Sequence, residues 1–349
     1  MTYETKHKSG LSYDDVLLRP QYSNIRSRSE IDISTSLSDN VNLRLPVIAS
    51  PMDTIAESRM AAAMNKGGGM AIIHRYNSIQ EQVKLVKRSY KHNRTNPIYG
   101  AAVGISGDYL ERAAELIDVG IKVLCVDVAH GHHILMKEAL EGLRSLPKID
   151  RVHIMAGNVA TLEGINDLAD WGADSVRCNI GGGSICSTRI QTGHGLPGLQ
   201  TIFECAKTDR DVKIIADGGI KNSGDIVKAL AAGADAVMVG SLLAGTTETP
   251  GNVVKDGNGV SWKEYRGMAS KEAQMNWLGK YSSFEGVSSR VPYRGPVDSV
   301  LNDLEKGIRS GFSYSGARTL AELQTKAEFV LQTSLGLSES KTHIMVRNW

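Results

Sequence analysis

The sequence predicts a (β/α)8 barrel, the TIM-barrel class of α/β fold. Eight short apolar, β-branched runs recur along the chain, and longer amphipathic stretches lie between them. Strands that alternate with helices indicate parallel βαβ units. Eight such units close into a barrel more readily than they lie in an open sheet, so a doubly wound sheet is the second interpretation.

The eight predicted strands span residues 45–49, 70–73, 98–103, 123–128, 152–156, 175–178, 212–216 and 236–239. Amphipathic stretches at 108–119, 133–146, 162–171 and 223–232 predict helices between them. Three of these helices end just before a glycine, Gly120, Gly172 or Gly233, as a left-handed helix end favours. Gly172 and Gly233 both begin a Gly-Ala-Asp sequence, which predicts one helix-to-strand turn used twice.

We expect a single catalytic domain over residues 1–349, because no linker or low-complexity tract divides the chain. Residues 257–296, after the eighth strand, are polar and poorly periodic. This stretch is long for a connection in a compact domain, and such segments are commonly lids. We therefore predict a flap at 257–296 within the same domain.

Charge and composition exclude several classes of partner. The 349 residues carry 40 Lys and Arg against 38 Asp and Glu, a formal net charge of +2. Nucleic acids and anionic membranes require clustered basic residues in excess, so we expect neither as a partner. No long apolar run or signal sequence is evident, and the 4 cysteines lack C-x-x-C spacing, which predicts free thiols in a cytoplasmic protein.

The 36 glycines form about a tenth of the chain, above the usual ~7%. Asp217-Gly218-Gly219 follows the seventh predicted strand, and Gly240-Ser241 follows the eighth, before a helix-like segment. Any single glycine there is most simply a turn residue. However, barrels commonly bind phosphate in the loops after strands seven and eight, where backbone N–H groups can approach an anion.

A third glycine cluster, Gly181 to Gly183, precedes Cys186 after the sixth predicted strand. Cys125, Cys178 and Cys205 lie in apolar patterns that indicate buried, inert thiols. Cys186 lies instead in a glycine-rich loop with Arg189 nearby, an environment that favours the thiolate and covalent catalysis. The carbonyl groups of such a loop are also suited to a monovalent cation.

Other polar residues follow further strands. Asp127 ends the fourth predicted strand, Asn158 follows the fifth, and Met52-Asp53 follows the first. A single Asp at a strand end is as consistent with a helix cap as with catalysis. Because the strand ends of a barrel meet at one rim, the set together predicts an active site.

Six ordered motifs resemble those of the IMP dehydrogenase / GMP reductase family. They are Ser12 to Pro20, Pro51 to Thr54, Ala156 to Val159, Gly183 to Arg189, Ala216 to Gly219 and Tyr265 to Met268, within a resemblance that runs from Leu11 to about His343. The resemblance implies a purine nucleotide 5′-monophosphate, a nicotinamide cofactor and a covalent thioimidate at purine C2.

Carried onto this sequence, the resemblance implies a role for each matching residue. Cys186 attacks C2, Thr188 and Glu285 transfer protons, and Asp127 supports the departure of ammonia and the transfer of hydride. The implied substrate contacts are Ser50, Met52, Ser184, Asp217, Gly218, Gly219, Gly240, Ser241, Gly267, Met268 and Ser270. Asp127, Ala129 and Asn158 are implied at the nicotinamide, and Gly181, Gly183 and Cys186 are implied around a monovalent cation, potassium.

The family contains two activities, and the lid favours the reductase. Residues 91–97 leave no room for the regulatory CBS pair that typical dehydrogenases insert there. Dehydrogenases activate water with an Arg-Tyr pair on a longer flap, whereas the nearest match here is Lys280-Tyr281. Lys lacks the planar fork of Arg. The segment from Met268 to Glu285 resembles a short reductase lid.

Other features are closer to dehydrogenases, including Met52 to Ser58 and the stretch 286–293. Animal-type reductases have Lys at the position of Arg75 and Arg at the position of Ser282. The sequence therefore favours an NADPH-dependent GMP reductase, with a CBS-less, NAD-dependent IMP dehydrogenase as the alternative. A non-catalytic purine nucleotide-binding barrel is the weaker alternative, and family membership implies a homotetramer.

Overall fold

The computed structural model describes residues 9–92, 97–281 and 285–340. Within them the strands are β1 (Val16–Leu18), β2 (Thr35–Ser38), β3 (Val41–Leu43), β4 (Val47–Ala49), β5 (Met70–Ile73), β6 (Gly100–Val103), β7 (Val123–Asp127), β8 (His153–Val159), β9 (Ser175–Cys178), β10 (Lys213–Asp217), β11 (Ala236–Val239), β12 (Val254–Lys255), β13 (Ser261–Arg266), β14 (Ser288–Pro292) and β15 (Phe329–Leu331).

The α-helices in the same residues are α1 (Ser58–Lys66), α2 (Ile79–His92), α3 (Tyr109–Asp118), α4 (Ile134–Arg144), α5 (Leu162–Asp170), α6 (Thr188–Thr192), α7 (Gly198–Cys205), α8 (Ser223–Ala231), α9 (Lys271–Leu278), α10 (Val297–Tyr314), α11 (Leu320–Lys326) and α12 (Ser334–Glu339). Short 3-10 helices cover Tyr13–Asp15, Arg28–Glu30 and Ile149–Arg151.

Strands β4 to β11 form a closed parallel barrel. Neighbours follow the order of the chain, and the barrel closes where β11 pairs with β4, with Val237 opposite Val47. Each of the eight apolar runs overlaps one barrel strand, so the predicted (β/α)8 barrel is confirmed. The runs are apolar throughout because helices cover the outer face of a parallel sheet, which leaves both faces buried.

Strand β8 is longer than predicted, since it continues to Val159. Its pairing with β9 shifts register between Gly157 and Val159. A Cβ on Gly157 would lie 2.6 Å from the Cβ of Arg177, so only glycine allows this approach of the two strands. Asn158 therefore belongs to the strand itself, at the rim of the barrel.

The hairpin β2–β3 closes the N-terminal end of the barrel. Its Leu37, Val41 and Leu43 are buried and pack in one cluster with interior residues that include Ile48 and Met70. A barrel of this size is filled by side chains. The C-terminal ends of the strands are thus the rim at which a ligand can enter.

The predicted turn from helix to strand occurs twice. Gly172 and Gly233 have φ of +106° and +114°, in the left-handed region. After each glycine, the Asp of the Gly-Ala-Asp sequence accepts a hydrogen bond from a backbone N–H of the adjacent strand. Asp174 accepts from Ile154 at 2.6 Å, and Asp235 accepts from Ile214 at 2.8 Å. The two turns therefore join each helix to the barrel by the same contact.

The stretch after the eighth barrel strand is more regular than its sequence suggests. Strands β12, β13 and β14 form an antiparallel sheet, and α9 lies between the last two. In β13, Lys263 and Tyr265 are buried whereas Glu264 is exposed. The Lys263 ammonium donates to the carbonyl oxygens of Thr246 and Thr249. Because a charged residue occupies this buried position, the sequence of β13 does not show the alternation of apolar and polar residues that predicts a strand.

None of the helices in the described part of the chain is both long and apolar enough to span a membrane.

Candidate active site

The C-terminal ends of the barrel strands surround a cavity of about 420 Å³. The predicted site residues that line it are Ser50, Met52, Asp127, Ala129, Asn158, Gly181, Gly183, Ser184, Cys186, Thr188, Asp217, Gly218, Gly219, Gly240, Ser241, Gly267, Met268 and Glu285. Ser270 does not line it. This serine is fully buried, and its hydroxyl accepts the N–H of Ala273 at the start of α9.

A larger concavity of about 830 Å³ lies at the opposite end of the barrel, beside the β2–β3 hairpin. It contains none of the predicted site residues. The smaller cavity is therefore the candidate active site, because that is where the reactive groups converge.

Three reactive side chains form a hydrogen-bonded chain in this cavity. The Cys186 thiol donates to Oγ1 of Thr188 at 3.1 Å, and the Thr188 hydroxyl donates to Oε2 of Glu285 at 2.6 Å. A carboxylate that reaches a thiol through a hydroxyl can take up the thiol proton or return a proton to a leaving group.

Backbone hydrogen bonds hold Glu285 against the cysteine loop. The N–H of Ser187 donates to the carbonyl oxygen of Glu285 at 2.8 Å, and the N–H of Glu285 donates to that of Ala269 at 3.1 Å. The next residue, Gly286, forms an antiparallel bridge with Cys186. Glu285 is thus held in place by main-chain contacts on both sides.

The other cysteines are buried, as predicted. Cys125, Cys178 and Cys205 are enclosed by the fold, whereas Cys186 is half-buried at the cavity. Burial raises the pKa of the Cys125 thiol to about 12, so this thiol stays protonated. Arg189, expected near Cys186, donates to the carbonyl oxygen of Leu196 at 2.6 Å.

Arg177, which the sequence analysis did not single out, lies between two of the predicted carboxylates. Its Nη1 donates to Oδ1 of Asp127 at 2.5 Å, while Nε and Nη2 donate to Oδ2 of Asp217 at 3.0 and 2.8 Å. Burial disfavours the charge, but Asp217 and Asp127 raise the pKa of Arg177 above its ordinary value. An arginine inside an apolar strand is the signal that could have identified it, since buried charges are nearly always paired.

Asp217 is held by a second donor. Nδ2 of Asn158 donates to the same Oδ2 atom at 2.8 Å, so the described donors converge on one oxygen. Among the described residues, none donates to Oδ1 of Asp217. That oxygen is available to accept a hydrogen bond from a hydroxyl group of a ligand in the cavity.

Donor groups converge at one end of the cavity. The backbone N–H groups of Gly219, Gly240 and Ser241 donate to no partner within the described residues. The hydroxyl groups of Ser184 and Tyr265 lie 3.4 Å apart, and a Cβ on Gly240 would lie 3.1 Å from the Tyr265 hydroxyl. N–H groups without an acceptor, together with hydroxyl groups around the same space, are suited to an anion. Tyr265 was quoted in a motif but was not assigned to the site.

The two phosphate-loop predictions differ in detail from the structure. Gly218 and Gly219 have φ of +79° and +74°, which explains the glycine pair. The helix expected after Ser241 is absent, and consecutive turns follow instead, with the N–H of Leu243 and Ala244 bonded to Gly240. An anion at this end of the cavity would therefore meet loop N–H groups and hydroxyls rather than a helix terminus.

A second arginine faces Asp127 from the other side. Nη2 of Arg75 donates to the Asp127 carbonyl oxygen at 3.2 Å, and its Nε lies 3.9 Å from Asp127 Oδ2. The Nε group is buried and has no hydrogen-bond partner among the described residues. A buried, unpaired donor at the cavity wall is suited to an acceptor on a ligand. Ser282 lies outside the described residues.

Asp53, expected at the rim, serves the neighbouring loop instead of lining the cavity. Its carboxylate forms an ion pair with Arg266 at 2.5 Å, and its N–H donates to the Met268 sulfur at 3.2 Å. Because Gly267 and Met268 line the cavity, these contacts set the position of its wall.

A family model described as the IMP dehydrogenase / GMP reductase domain matches residues 10–343. The chain belongs to the IMP dehydrogenase / GMP reductase family. It is an oxidoreductase of that family, whose members use a nicotinamide cofactor.

Some relatives named as IMP dehydrogenases and others named as GMP reductases are similar to this chain over nearly its whole length. An inosine-5′-monophosphate dehydrogenase from Nitrosopumilus maritimus is 35% identical, with 96% of this chain and 98% of that protein covered. A GMP reductase from Leishmania major is 34% identical, with 96% of each chain covered. Identity alone therefore does not separate the two activities.

A solved family structure has the same fold. It is a cysteine-to-alanine variant of GMP reductase from Trypanosoma brucei in complex with guanosine 5′-monophosphate. The TM-score is 0.90 at 31% identity, and the match covers 99% of this chain and 100% of the other. The barrel and its rim are thus those of an enzyme family that acts on purine nucleotides.

Proposed function

We propose that this protein is a GMP reductase that converts GMP and NADPH into IMP, ammonia and NADP⁺. The observation that supports this most directly is the chain from Cys186 through Thr188 to Glu285. A nucleophile with a proton-transfer group suits displacement of ammonia from a purine. The solved relative in complex with GMP supports the same substrate.

The nucleotide would lie across the cavity. Its 5′-phosphate would be bound by the N–H groups of Gly219, Gly240 and Ser241 and by the hydroxyls of Ser184 and Tyr265. The ribose hydroxyls would donate to Asp217, whose Oδ1 is free of described donors. Gly218, Ser50, Met52, Gly267 and Met268 complete the wall around the nucleotide.

The chemistry would begin with Cys186. Its sulfur would bond to purine C2, while a proton from Glu285, passed through Thr188, would leave with the C2 amino group as ammonia. Asp127, held between Arg75 and Arg177, would keep a fixed negative charge beside the reacting centre. When the C2–H bond of IMP has formed, the carbon–sulfur bond breaks and the Cys186 thiolate is released.

The cofactor side of the cavity would be formed by Asp127, Ala129 and Asn158. The buried, unpaired Nε of Arg75 fits the carboxamide oxygen of a nicotinamide, which supports a cofactor there. When bound, the reduced nicotinamide supplies the hydride to C2. We propose NADPH as the cofactor because the lid favours the reductase.

We also propose a potassium site formed by the carbonyl groups of Gly181, Gly183 and Cys186. The Gly183 carbonyl accepts the Cys186 N–H at 3.1 Å. The Gly181 and Cys186 carbonyl oxygens accept no bond from the described residues, so both can face a cation. A single catalytic domain over 1–349, a lid at 257–296 and a homotetramer complete the proposal.

An NAD-dependent IMP dehydrogenase is the second candidate, because the N. maritimus relative carries that name. It requires a group that activates water, and Lys280-Tyr281 is the nearest match to the usual pair. The Tyr281 ring lies under the Lys271 ammonium, 4.7 Å from ring centroid to Nζ, and neither Lys280 nor Tyr281 lines the cavity. Glu285 does line it, which favours the reductase.

The test is a four-way assay of GMP or IMP against NADPH or NAD⁺, with each product identified. IMP and ammonium formed from GMP and NADPH support the proposal. XMP and NADH formed from IMP and NAD⁺ would replace it with the dehydrogenase. Nucleotide binding without turnover under either condition would indicate a non-catalytic nucleotide-binding barrel.

A further inference from the structure

Asn179 lies immediately after β9, between the cysteine loop and the proposed phosphate loop. Only 5% of its surface is exposed. Its Nδ2 donates to the carbonyl oxygen of Asp217 at 2.8 Å and to that of Gly218 at 3.3 Å. One buried amide group thus contacts two consecutive peptide units of the phosphate loop.

The same amide packs against the cysteine loop. A Cβ on Gly182 would lie 2.3 Å from Nδ2 and 2.6 Å from Oδ1 of Asn179. No side chain at residue 182 is compatible with this contact. A Cβ on Gly219 would in turn lie 3.1 Å from the Gly182 carbonyl oxygen. The two loops therefore meet with the Asn179 amide between them.

The hydrogen bonds of Asn179 determine which way the loop N–H groups point. In a trans peptide the C=O and N–H bonds point in opposite directions. The Asp217 carbonyl points to Asn179, and the N–H of the same peptide, on Gly218, reaches the carbonyl oxygen of Met238 at 3.1 Å. By the same geometry, the Gly218 carbonyl turns the Gly219 N–H away from Asn179, where no described residue accepts it.

The oxygen of the amide has no such role. Oδ1 of Asn179 is buried and has no hydrogen-bond partner among the described residues. A buried acceptor without a donor destabilises a fold. The favourable contribution of this side chain must therefore come from its Nδ2 group and the two carbonyl groups that it orients.

We propose that Asn179 is the residue that positions the Gly219 N–H for the 5′-phosphate of the bound nucleotide. This inference rests on the proposed function, which places the phosphate at Gly219. Asn179 acts through the loop and does not touch the phosphate. Removing its Nδ2 should weaken the binding of a nucleotide but not that of the corresponding nucleoside.

The test compares GMP with guanosine, which lacks the phosphate, by calorimetry on the full chain. For Asn179→Ala, we expect GMP binding to weaken about tenfold, since one charge-assisted hydrogen bond is lost, while guanosine binding stays within about twofold. Asn179→Asp should weaken GMP binding further, because a carboxylate would face two carbonyl oxygens. The KM for GMP should rise more than kcat falls.

Asn158→Ala is the matched control. It removes a donor to Oδ2 of Asp217 at the ribose and a donor to the backbone carbonyl oxygen of Asn179, but it leaves the Asn179 amide and both of its hydrogen bonds in place, so GMP and guanosine should weaken by the same factor. An equal loss of both ligands in Asn179→Ala, or no loss of either, would overturn the inference. If Asn179→Ala does not fold, Asn179→Ser, which keeps one donor, replaces it. A larger loss of GMP binding than of guanosine binding in Asn179→Ser supports the inference, and an equal loss or no loss overturns it.

Failure of the proposed function would be seen separately. If the wild-type protein binds GMP more tightly than guanosine but does not reduce GMP, the reaction is wrong and the ratio of the two affinities still tests Asn179. If the wild-type protein shows no preference for GMP over guanosine, the phosphate site itself is wrong, and the inference about Asn179 falls with it.

Discussion

The Thr188 hydroxyl donates to Oε2 of Glu285 at 2.6 Å, across 97 positions of the chain. This bond joins the cysteine loop to the lid, and the Cys186 thiol completes the connection at 3.1 Å. In this arrangement the Cys186 thiol reaches the Glu285 carboxylate through Thr188. We therefore expect the position of the segment that carries Glu285 to control the activation of the thiol.

Glu285→Gln should reduce kcat for GMP reduction by about 10²–10⁴-fold, the range of one acid-base group. The carboxamide keeps the shape of the side chain but cannot carry the proton. GMP binding should stay near the wild-type value in calorimetry. Glu272→Gln, at an exposed lid residue that accepts from Ser288, is the control and should keep its activity. Equal activity of Glu285→Gln and Glu272→Gln would contradict the proton-transfer role.

Cys186→Ala should lose more activity than Glu285→Gln, because it removes the nucleophile and not only its base. IMP formation from GMP and NADPH, followed by chromatography, measures this loss. GMP should still bind, since the phosphate and ribose contacts remain. Cys205→Ala, at a buried cysteine outside the cavity, is the control. Wild-type turnover in Cys186→Ala would exclude covalent catalysis by this residue.

Arg177→Met should destabilise the fold by at most about 3–5 kcal/mol, the cost of breaking a buried ion pair, because it leaves the half-buried Asp127 and Asp217 carboxylates without their buried cation. Urea unfolding measures the difference. Arg210→Met is the control, since Arg210 pairs with Asp170 at the surface, where solvent screens the pair, and its stability should stay close to that of the wild type. A similar small effect for both variants would show that the buried network is not held together by Arg177.

The stability of the fold should decrease in acid because of His153. This residue is 4% exposed, and its Nε2 lies 2.7 Å from the Ser175 hydroxyl. Burial lowers its pKa to about 4, with Arg144 acting in the same direction and Asp174 opposing both. The unfolded chain takes up a proton near pH 6.5, which the folded chain resists until about pH 4.

Stability that is fully present above pH 6.5 is therefore lost as the pH falls toward 4, by about 3 kcal/mol at most. Urea unfolding of the wild type and of His153→Asn between pH 7.5 and pH 4.5 measures this loss. The stability of His153→Asn should depend less steeply on pH, because Asn at position 153 does not titrate. Identical slopes for the two proteins would refute this role of His153.

The sequence by itself determined the barrel and most of the residues at its rim. Parallel barrel strands are buried on both faces, so each appears as a short apolar run, and glycine or a reactive residue follows directly where the chain turns over the rim. Cys186, Asp217 and Gly240 were found in this way. The antiparallel sheet of the lid was missed because Lys263, a charged residue, occupies a buried position in β13.

Only the tertiary structure decided which of these groups meet. Arg177 reaches Asp127 and Asp217 across 50 and 40 positions of the chain, and Asn179 reaches the loop after β10. A local pattern carries no information about such pairs, because their distances depend on barrel closure and on how loops dock over its rim. For the same reason, the helix cap formed by Ser270 could be told from a ligand contact only in the folded chain.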